Sequence, residues 1–555
     1  MRNAHAVAGV RAAEGALMAL LPEGALMQRA AAGLAATCAG LLSRAGRPGW
    51  PGRPGRPGRP GRAPGVYGSQ VIVLTGSGDN GGDALYAGAR LAARGAVVTA
   101  VAAAERMHEG GAAALRASGG RVIEAGDQAA DGAIAAADLI IDGLLGIGGR
   151  GGLREPAASL AAAAGRARAL VVAVDLPSGI DADTGEVAGA AVQADVTVTF
   201  GTLKPGLLID PGASHAGVVE LVDIGLGSYL GPPDVAAPQA ADIAAWLPRP
   251  SAESDKYRRG VLGIVAGSDR FTGAPTLAVG GALRGGAGMV RLVSSEIPVG
   301  VVRQHWPEAV ITTTGAGREG GAAIEAAGQV QAWAAGPGMG TDQAAASLLA
   351  AVLASNLPVL VDADGITLLA AHRELLPRPA PTLLTPHAGE LARLLRADRA
   401  DVEAHRLRFA TRAAAELGCT VLLKGSTTVI ASPEPGQEVL VNPTGTSWLA
   451  TAGSGDVLSG LAGSLLAQGL VPSRAAAAAA FLHGIAARLA ASGSASADFA
   501  PAGTAGGGII AAGAATAAGD AGAARLEDAE APICASDLIG ALPAATRMVN
   551  AAAAT

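Results

Sequence analysis

Aromatic residues and positive charge are both scarce in this chain, and each scarcity excludes a class of partner. Phenylalanine, tryptophan and tyrosine together make up 3% of the 555 residues. The formal net charge is −6 at pH 7. A nucleic-acid surface needs basic side chains for phosphates and aromatic rings for base stacking, so we expect no nucleic-acid partner. The net charge also gives no reason to expect binding to an anionic membrane.

Cysteine is rare as well. Cys38, Cys419 and Cys534 lie far apart, outside any Cys-x-x-Cys or Cys/His pattern, which argues against a disulfide framework and a structural zinc site. The first residues lack a basic region followed by an apolar core, and the uncharged run 499–519 is too weakly apolar for a membrane span. We therefore expect a cytoplasmic protein with no membrane partner and with inert, mostly buried thiols.

The length of the chain and its pattern of small residues predict two large α/β domains. We place the first domain at residues 1–228, a linker at 229–240 and the second domain at 241–545. Arg-Pro-Gly repeats at 46–65 are typical of a solvated, extended insert. A Gly/Ala/Ser-rich stretch at about 492–532 is typical of a flexible insertion.

Short apolar runs alternate with helical stretches from residue 70 to about 226. This alternation predicts a Rossmann-like, doubly wound parallel sheet, on which ligands bind at the carboxyl ends of the strands. A helix is predicted at Ala84–Arg94 and another at Glu155–Ala163. The predicted strands are Gln70–Leu74, Ala96–Ala102, Leu139–Asp142, Leu170–Asp175, Val196–Phe200 and Val218–Val222.

Three of these strands are followed by segments rich in Gly and acidic residues. The segments are GSGDNGGD at 76–83, DGLLGIG at 142–148 and DLPSG at 175–179. Glycines let the backbone approach a phosphate, whereas carboxylate, amide and hydroxyl oxygens suit substrate hydroxyls or a hard cation. Each segment alone is as consistent with an ordinary strand-to-helix turn. Three in series predict one crevice that holds a cation and leaves one Asp for proton transfer.

The first domain resembles the NAD(P)H-hydrate epimerases over nearly all of residues 7–227. The resemblance rests on the segments at 10–14 and 23–30, on GSGDNGGD, on DGLLGIGGRG and on VDLPSGID. It implies that Asn80, Asp142 and Ser178 bind potassium and that Asp142 transfers the proton. It also implies that the substrate contacts Asp79, Asn80, Gly81, Gly82, Asp83, Gly146, Ile147, Gly148, Gly149, Arg150, Gly151, Gly152 and Asp175.

Asp79 departs from the epimerase pattern, in which many members have Asn at this position. A carboxylate here still accepts hydrogen bonds from substrate hydroxyls, but it repels a substrate phosphate. The direct contact at Asp79 is therefore the one that this sequence puts in question.

A second site is indicated by AGSGDVLSG at 452–460, a Gly turn that leads into an apolar helix. The N–H groups at a helix N-terminus stabilise a phosphoryl group during transfer, and Asp456 is placed to take a proton from an attacking hydroxyl. An N-capping Asp on a tight turn is the alternative. Lys424, with Gly and hydroxyl residues after it, and the pair His387 and Glu390 also follow predicted strands.

Residues 241–543 resemble the ribokinase-like superfamily and, within it, the ADP/ATP-dependent NAD(P)H-hydrate dehydratases. The segments TPHAGE at 385–390 and AGPGMG at 335–340, with Gly267-Ser268 and TGAP at 272–275, carry this resemblance. Related vitamin kinases more often have Asn in place of His387. The resemblance implies ADP with Mg²⁺, which Glu390 helps to position. It implies substrate contacts from Ala274, Gly338, His387 and Asp456, and ADP contacts from Lys424, Gly425, Ser426, Thr427, Thr428 and Gly455.

The two resemblances fit one reaction scheme, in which both epimers of hydrated NADH and NADPH are repaired. The second domain phosphorylates the ring hydroxyl of one epimer, and the first domain supplies that epimer from the other. One alternative is a hydroxymethylpyrimidine or sugar kinase with an ancillary ligand-binding domain. Another alternative is that the first domain is a non-catalytic scaffold. The presence of Asn80, Asp142 and Ser178 argues against this alternative. We expect a homo-oligomer.

Overall fold

The computed structural model describes residues 1–44, 65–315, 320–493 and 530–552. Apart from their ends, the predicted inserts at 46–65 and 492–532 lie outside these residues. The chain divides into two compact units, and the division falls between Val235 and Ala236, within the predicted linker. The linker region contains the strand Val235–Ala237, which adjoins the strand Val439–Asn442 in one sheet. This strand occupies three residues of the segment predicted as the linker.

The N-terminal unit is built on a seven-stranded, wholly parallel sheet. This confirms the predicted doubly wound fold, and every predicted strand is present with its ends shifted by at most one residue. The added edge strand, Arg121–Glu124, was not predicted. In sheet order the strands are Arg121–Glu124, Val97–Ala102, Gln70–Thr75, Leu139–Gly143, Leu170–Val174, Val196–Phe200 and Val218–Val222.

Helices cover both faces of this sheet, because its central strands are apolar on both sides. One apolar cluster joins the sheet to the helices at 7–43, 79–92 and 109–117, and a second joins the other face to the helices at 128–135 and 157–166. The helices are Val7–Met18, Ala25–Ser43, Asp79–Ala92, Glu109–Ala117, Gln128–Ala135, Ala157–Arg166 and Gly212–Ala216, with 3₁₀ turns Pro205–Leu207 and Gly227–Tyr229.

Among the described residues, Ala25–Ser43 is the one helix long and apolar enough to cross a membrane. Half of its apolar stretch is buried in this structure. Leu34 and Cys38 are both fully buried and belong to the apolar cluster that covers one face of the sheet. This burial is what a core helix of a folded domain would show.

The GSGDNGGD segment differs from the sequence-based expectation. We predicted a loop followed by a helix at Ala84–Arg94, whereas the helix runs from Asp79 to Ala92. A Cβ atom on Gly81 would lie 2.6 Å from the carbonyl oxygen of Gly76, so the helix approaches the preceding turn too closely for any side chain. Gly81 therefore permits close packing of a helix, whereas Gly76 and Gly78 lie in the turn that precedes the helix.

The C-terminal unit is also α/β. Its central strands are parallel, and Thr428–Ala431 is antiparallel to both of its neighbours, Thr420–Leu423 and Val439–Asn442. In sheet order, continuing from Val235–Ala237, the strands are Val439–Asn442, Thr428–Ala431, Thr420–Leu423, Thr382–Leu384, Val359–Val361, Ala332–Ala335, Val261–Val265, Met289–Ser294 and Val310–Thr313. A further short strand, Arg2–Ala4, lies at the start of the chain.

Two helices of this unit, Ala274–Arg284 and Ser454–Ala467, pack with their backbones in contact. A Cβ atom on Gly460 would overlap the carbonyl oxygen of Ala278, and one on Gly281 would overlap that of Val457. The remaining helices are Ala240–Trp246, Glu296–His305, Gly321–Ala327, Gln343–Leu353, Ala363–Ala371, Ala388–Leu395, Arg399–Ala404, Arg406–Leu417, Pro472–Ala491 and Ala535–Ala552, with 3₁₀ turns Arg373–Leu375 and Ser447–Leu449.

Two candidate active sites, one in each unit

The first site lies where three neighbouring strands of the N-terminal sheet end. The Ser178 hydroxyl donates to Asp142 Oδ1 at 2.7 Å, and the Ser178 N–H donates to Asp142 Oδ2 at 2.9 Å. The Asn80 amide donates to the carbonyl of Leu145 at 3.0 Å, and the Leu145 N–H donates to Ser178 Oγ at 2.9 Å. The structure thus brings together the three residues predicted to bind potassium.

The chemistry of this cluster fits a hard monovalent cation. It offers the carboxylate of Asp142, the amide oxygen of Asn80, the hydroxyl of Ser178 and the carbonyl of Leu145, all oxygen ligands. Gly146 passes so close that a Cβ atom there would lie 3.2 Å from Asn80 Oδ1. Among the described residues, no group of three or more His, Cys, Asp or Glu forms a metal site. A cation here would therefore depend on amide and hydroxyl oxygens as much as on carboxylate.

Asp142 is fully buried, and burial raises the pKa of its carboxyl to about 6. The hydrogen bonds from Ser178 and from the Leu144 N–H oppose this rise because they stabilise the ionised form. A carboxyl with a pKa near 6 can exchange a proton close to neutral pH.

A second group of carboxyls adjoins this cluster, and a buried lysine accompanies it. Burial raises the pKa of Asp83 well above its usual range, and the charges of Asp175, Asp79 and Glu14 raise it further. Burial also raises the pKa of Glu14. Lys204 forms an ion pair with Asp175. Asp83 Oδ1 is buried and has no hydrogen-bond partner among the described residues.

The sequence analysis assigned no role to Glu14 or Lys204. Glu14 stood only inside a segment similar to the epimerases. Lys204 comes four residues after the strand Val196–Phe200, at the same edge of the sheet as the predicted site residues. That position is the signal that could have identified it.

The predicted substrate segment 146–152 begins at this site. Gly146 lies against Asn80, and Ile147 is half-buried against the apolar core. At the other end, a Cβ atom on Gly152 would lie 2.6 Å from the Cα atom of Gly189. Gly148, Arg150 and Gly151 are exposed, and Gly149 is half-buried.

The second site lies at the N-terminus of the helix Ser454–Ala467. Gly453 precedes the helix with φ +85°, and Asp456 stands in its first turn. Burial is the main cause that raises the pKa of Asp456 to about 7, and the negative charge of Asp362 adds to it while Lys424 opposes it. The buried His483 lies with Nε2 3.0 Å from the carbonyl oxygen of Ser454, which supports the turn from behind.

Lys424 is held at this helix N-terminus by Asp362. The Lys424 ammonium donates to Asp362 Oδ1 at 2.7 Å, and the Ser459 hydroxyl donates to Asp362 Oδ2 at 2.6 Å. A Cβ atom on Gly455 would lie 3.5 Å from Lys424 Nζ. The predicted ADP residues Lys424 and Gly455 therefore adjoin, and a cation beside a helix N-terminus suits a phosphate. The other predicted ADP residues continue from Lys424 into the strand Thr428–Ala431.

The four predicted substrate residues of this site form two pairs, Ala274 with Gly338 and His387 with Asp456. Ala274 and Gly338 are neighbours, since a Cβ atom on Gly338 would lie 2.9 Å from the Cβ atom of Ala274. His387 and Asp456 both lie within electrostatic reach of Lys424 and Glu390. The carboxylate of Asp364, which also influences Asp456, accepts a hydrogen bond at 3.0 Å from the Gly340 N–H, two residues after Gly338.

His387 caps the helix Ala388–Leu395. Its Nδ1 accepts from the N–H groups of Gly389 at 3.0 Å and Glu390 at 3.2 Å, while Glu390 accepts from the His387 N–H at 2.8 Å. Partial burial lowers the pKa of the imidazole, so the ring is neutral and carries its proton on Nε2. Asn is a good cap too, so it could replace His387 in this capping role.

We expect His387→Asn and His387→Ala to separate the capping role from substrate binding. His387→Ala removes the cap and should lower the free energy of unfolding by about 1 kcal/mol, whereas His387→Asn should keep it within about 0.5 kcal/mol. Both variants should lose activity if the Nε2–H group contacts the substrate. Chemical denaturation and steady-state kinetics measure the two effects, and full activity of His387→Asn would contradict the substrate contact.

Comparison with known proteins agrees with two different sites in one chain. A family model for the YjeF-related protein N-terminus matches residues 23–206, and one for NAD(P)H-hydrate dehydratase matches residues 262–503. The bifunctional NAD(P)H-hydrate repair enzyme Nnr of Mycobacterium tuberculosis is 47% identical over 480 residues, covering 86% of this chain and 92% of that relative. The chain belongs to the family of bifunctional NAD(P)H-hydrate repair enzymes.

Other members of the bifunctional NAD(P)H-hydrate repair enzyme family align over comparable lengths. That of Mycobacterium leprae is 46% identical and covers 88% of this chain and 94% of its own length. The enzyme of Moorella thermoacetica is 38% identical, and the alignment covers 75% of this chain and 82% of that relative. The ADP/ATP-dependent NAD(P)H-hydrate dehydratase of Bacillus subtilis, co-crystallised with ATP and Mg²⁺, is 26% identical, with a TM-score of 0.44, and covers 56% of this chain and 97% of that structure.

Proposed function

We propose that this chain repairs hydrated NADH and NADPH through two activities, an epimerase in residues 1–228 and an ADP-dependent dehydratase in residues 241–545. The epimerase interconverts the R and S hydrates, and the dehydratase converts the S hydrate to NAD(P)H while ADP yields AMP and phosphate. The observation that carries the proposal is the presence of two unlike strand-edge sites in one chain of a family whose members are bifunctional. The vitamin or sugar kinase alternative is not favoured, because it gives no role to the first site.

In the dehydratase, Asp456 accepts the proton of the hydroxyl group on the hydrated ring. The oxygen of that hydroxyl group attacks the β-phosphoryl group of ADP at the same time. Loss of phosphate and of a neighbouring ring proton then restores the double bond of NAD(P)H. Lys424 and Gly455 hold the phosphates at the helix N-terminus, where charge develops during transfer. Mg²⁺ bound with ADP would neutralise phosphate charge, and the carboxylates of Asp364 and Glu390 fit its preference for oxygen ligands.

In the epimerase, Asp142 transfers the proton, and its carboxyl with a pKa of about 6 is suited to this near neutral pH. Asn80, Asp142 and Ser178 hold potassium, whose positive charge would favour the ionised form of Asp142. Asp79 to Asp83, Gly146 to Gly152 and Asp175 contact the hydrated nucleotide. We also propose that the protein acts in the cytoplasm as a homo-oligomer.

The proposal is tested by recovery of absorbance at the reduced-nicotinamide band from mixed R and S hydrates of NADPH. The assay contains ADP, Mg²⁺ and K⁺, and ATP replaces ADP in a parallel reaction. We expect complete recovery with the wild-type enzyme, because its epimerase converts the R hydrate to the S hydrate. A variant that lacks epimerase activity should give only partial recovery. No recovery with either nucleotide would contradict the repair function. Persistence of a phosphorylated product from an added alcohol would then favour the kinase.

Asp142→Ala should reduce enzymatic epimerisation by at least about 100-fold, the usual contribution of a proton-transfer residue. Recovery from the S hydrate should be unchanged, so the dehydratase on the same chain reports that the protein is folded. Asp131→Asn, at an exposed position in the same unit, is the control and should behave as wild type. Wild-type epimerisation by Asp142→Ala would contradict its assigned role.

A further inference from the structure

Lys204 is the most deeply buried cation in the N-terminal unit among the described residues, with a relative exposure of 1%. Its ammonium group donates to Asp175 Oδ1, to the Thr199 hydroxyl at 3.1 Å and to the Phe200 carbonyl at 3.2 Å. An ammonium group has three hydrogens to donate, and these contacts use all three. Lys204 is therefore occupied by the protein itself and has no donor left for a ligand.

Asp175 is held in an unusual conformation, and its two oxygens are treated differently. Its φ of +66° is in the left-handed region, which a non-glycine residue adopts only when its surroundings enforce it. Oδ1 accepts from Lys204, from the Thr199 hydroxyl at 3.1 Å and from the Phe200 N–H at 3.2 Å. Within the described part of the chain Oδ2 accepts no hydrogen bond, and 11% of the side chain is exposed. Oδ2 is thus the oxygen that remains for a ligand.

We propose that Lys204 and Thr199 are positioning residues, which fix Asp175 Oδ1 so that Oδ2 accepts a hydrogen bond from a hydroxyl of the hydrated nucleotide. This inference rests on the proposed epimerase function. Asp175 touches the substrate, whereas Lys204 and Thr199 act only through Asp175. Burying a lysine is costly unless it is fully paired, so a buried lysine placed beside a substrate-binding carboxylate has a role beyond packing.

The test compares Lys204→Met, Thr199→Val and Thr199→Ser for epimerisation of the R hydrate. Lys204→Met should lower kcat/KM about 100-fold, mainly through KM. Thr199→Val should lower kcat/KM about tenfold with the same rise in KM. Thr199→Ser keeps the hydroxyl and should stay close to wild type. Dehydration of the S hydrate by the same chains should not change.

Two results would overturn the inference. One is a folded Lys204→Met enzyme, active on the S hydrate, whose KM for the R hydrate matches that of the wild type. The other result decides the question if Lys204→Met does not fold. In that case, equal epimerase activity of Thr199→Val and Thr199→Ser would overturn the inference. Absence of epimerisation by the wild-type enzyme is a different outcome, because it contradicts the proposed function before any variant is compared.

Discussion

Asp456→Asn should abolish ADP-dependent recovery of NADPH, with a loss of kcat of at least about 1,000-fold, while epimerisation proceeds at the wild-type rate. The expected size follows from two combined losses, the base that accepts the hydroxyl proton and the charge that orients it. In the wild-type enzyme, kcat/KM for dehydration should fall as the pH drops through about 7, because burial and Asp362 hold the pKa of Asp456 there. The acidic limb of the profile and the loss in Asp456→Asn report the same group.

The same substitution should stabilise the protein at alkaline pH. The folded-state pKa of about 7 lies above the ordinary value of 3.8, so the wild-type fold loses stability as the pH rises from the lower value to the higher one, and the loss is complete above 7. Asn avoids this loss, and a pKa shift of this size limits the loss to about 4 kcal/mol. Thermal unfolding at pH 5 and pH 8 measures the effect, and the gain in stability from Asp456→Asn should be larger at pH 8 than at pH 5.

Asp401→Asn is the matched control for Asp456→Asn. Asp401 is an exposed aspartate in the first turn of the helix Arg399–Ala404 in the same unit. Its substitution should leave activity unchanged and stability within about 0.5 kcal/mol. Dehydration by Asp456→Asn at more than a tenth of the wild-type rate would contradict the role of Asp456 as the base.

Gly460→Ala should destabilise the C-terminal unit by about 3 kcal/mol and lower dehydratase activity at the same time. Its added methyl group would overlap the carbonyl oxygen of Ala278, a backbone atom that can move only if two helices separate. Those helices carry Ala274 and Asp456 at their N-termini, so their separation would also displace both predicted substrate contacts. Thermal unfolding and kinetics on the S hydrate measure the two effects.

Gly540→Ala is the control, because it makes the same Gly-to-Ala substitution in a helix at a position where the added methyl group has space. Gly540 lies in the exposed face of the helix Ala535–Ala552, and a Cβ atom there would meet nothing within 4 Å. The helix propensity of Ala should make this variant slightly more stable than wild type, by up to about 1 kcal/mol. Equal stability of the two variants would show that the two helices can move apart freely, contrary to the close packing described above.

The arrangement of the first site follows from the sequence because parallel strands end at one edge of a sheet. Asp142, Ser178 and Asn80 could be brought together on that ground alone, and the structure joins them through Leu145. The potassium and substrate roles of these residues remain predictions. The segment at 79–83 was expected to be a loop because successive glycines after a strand let the backbone approach a phosphate. In the fold this segment is helical, and Gly81 lets the helix pass close to the carbonyl oxygen of Gly76.

The supporting residues could not be found from the sequence, because their partners are distant along the chain. Lys204 meets Asp175 across 29 residues, and Ser459 meets Asp362 across 97. Asp362 was visible as an acidic residue after a strand, but nothing in the sequence indicated that it holds Lys424. Such pairings depend on side-chain packing, which no local pattern of residues encodes.

The raised pKa of Asp456 divides the unliganded enzyme into two populations. With a value of about 7, nearly half of the molecules at neutral pH carry a proton in the nucleotide site and the others carry an additional negative charge. An anionic nucleotide binds more readily to the protonated population, whereas a metal cation binds more readily to the ionised one. Nucleotide and metal thus favour opposite protonation states of Asp456.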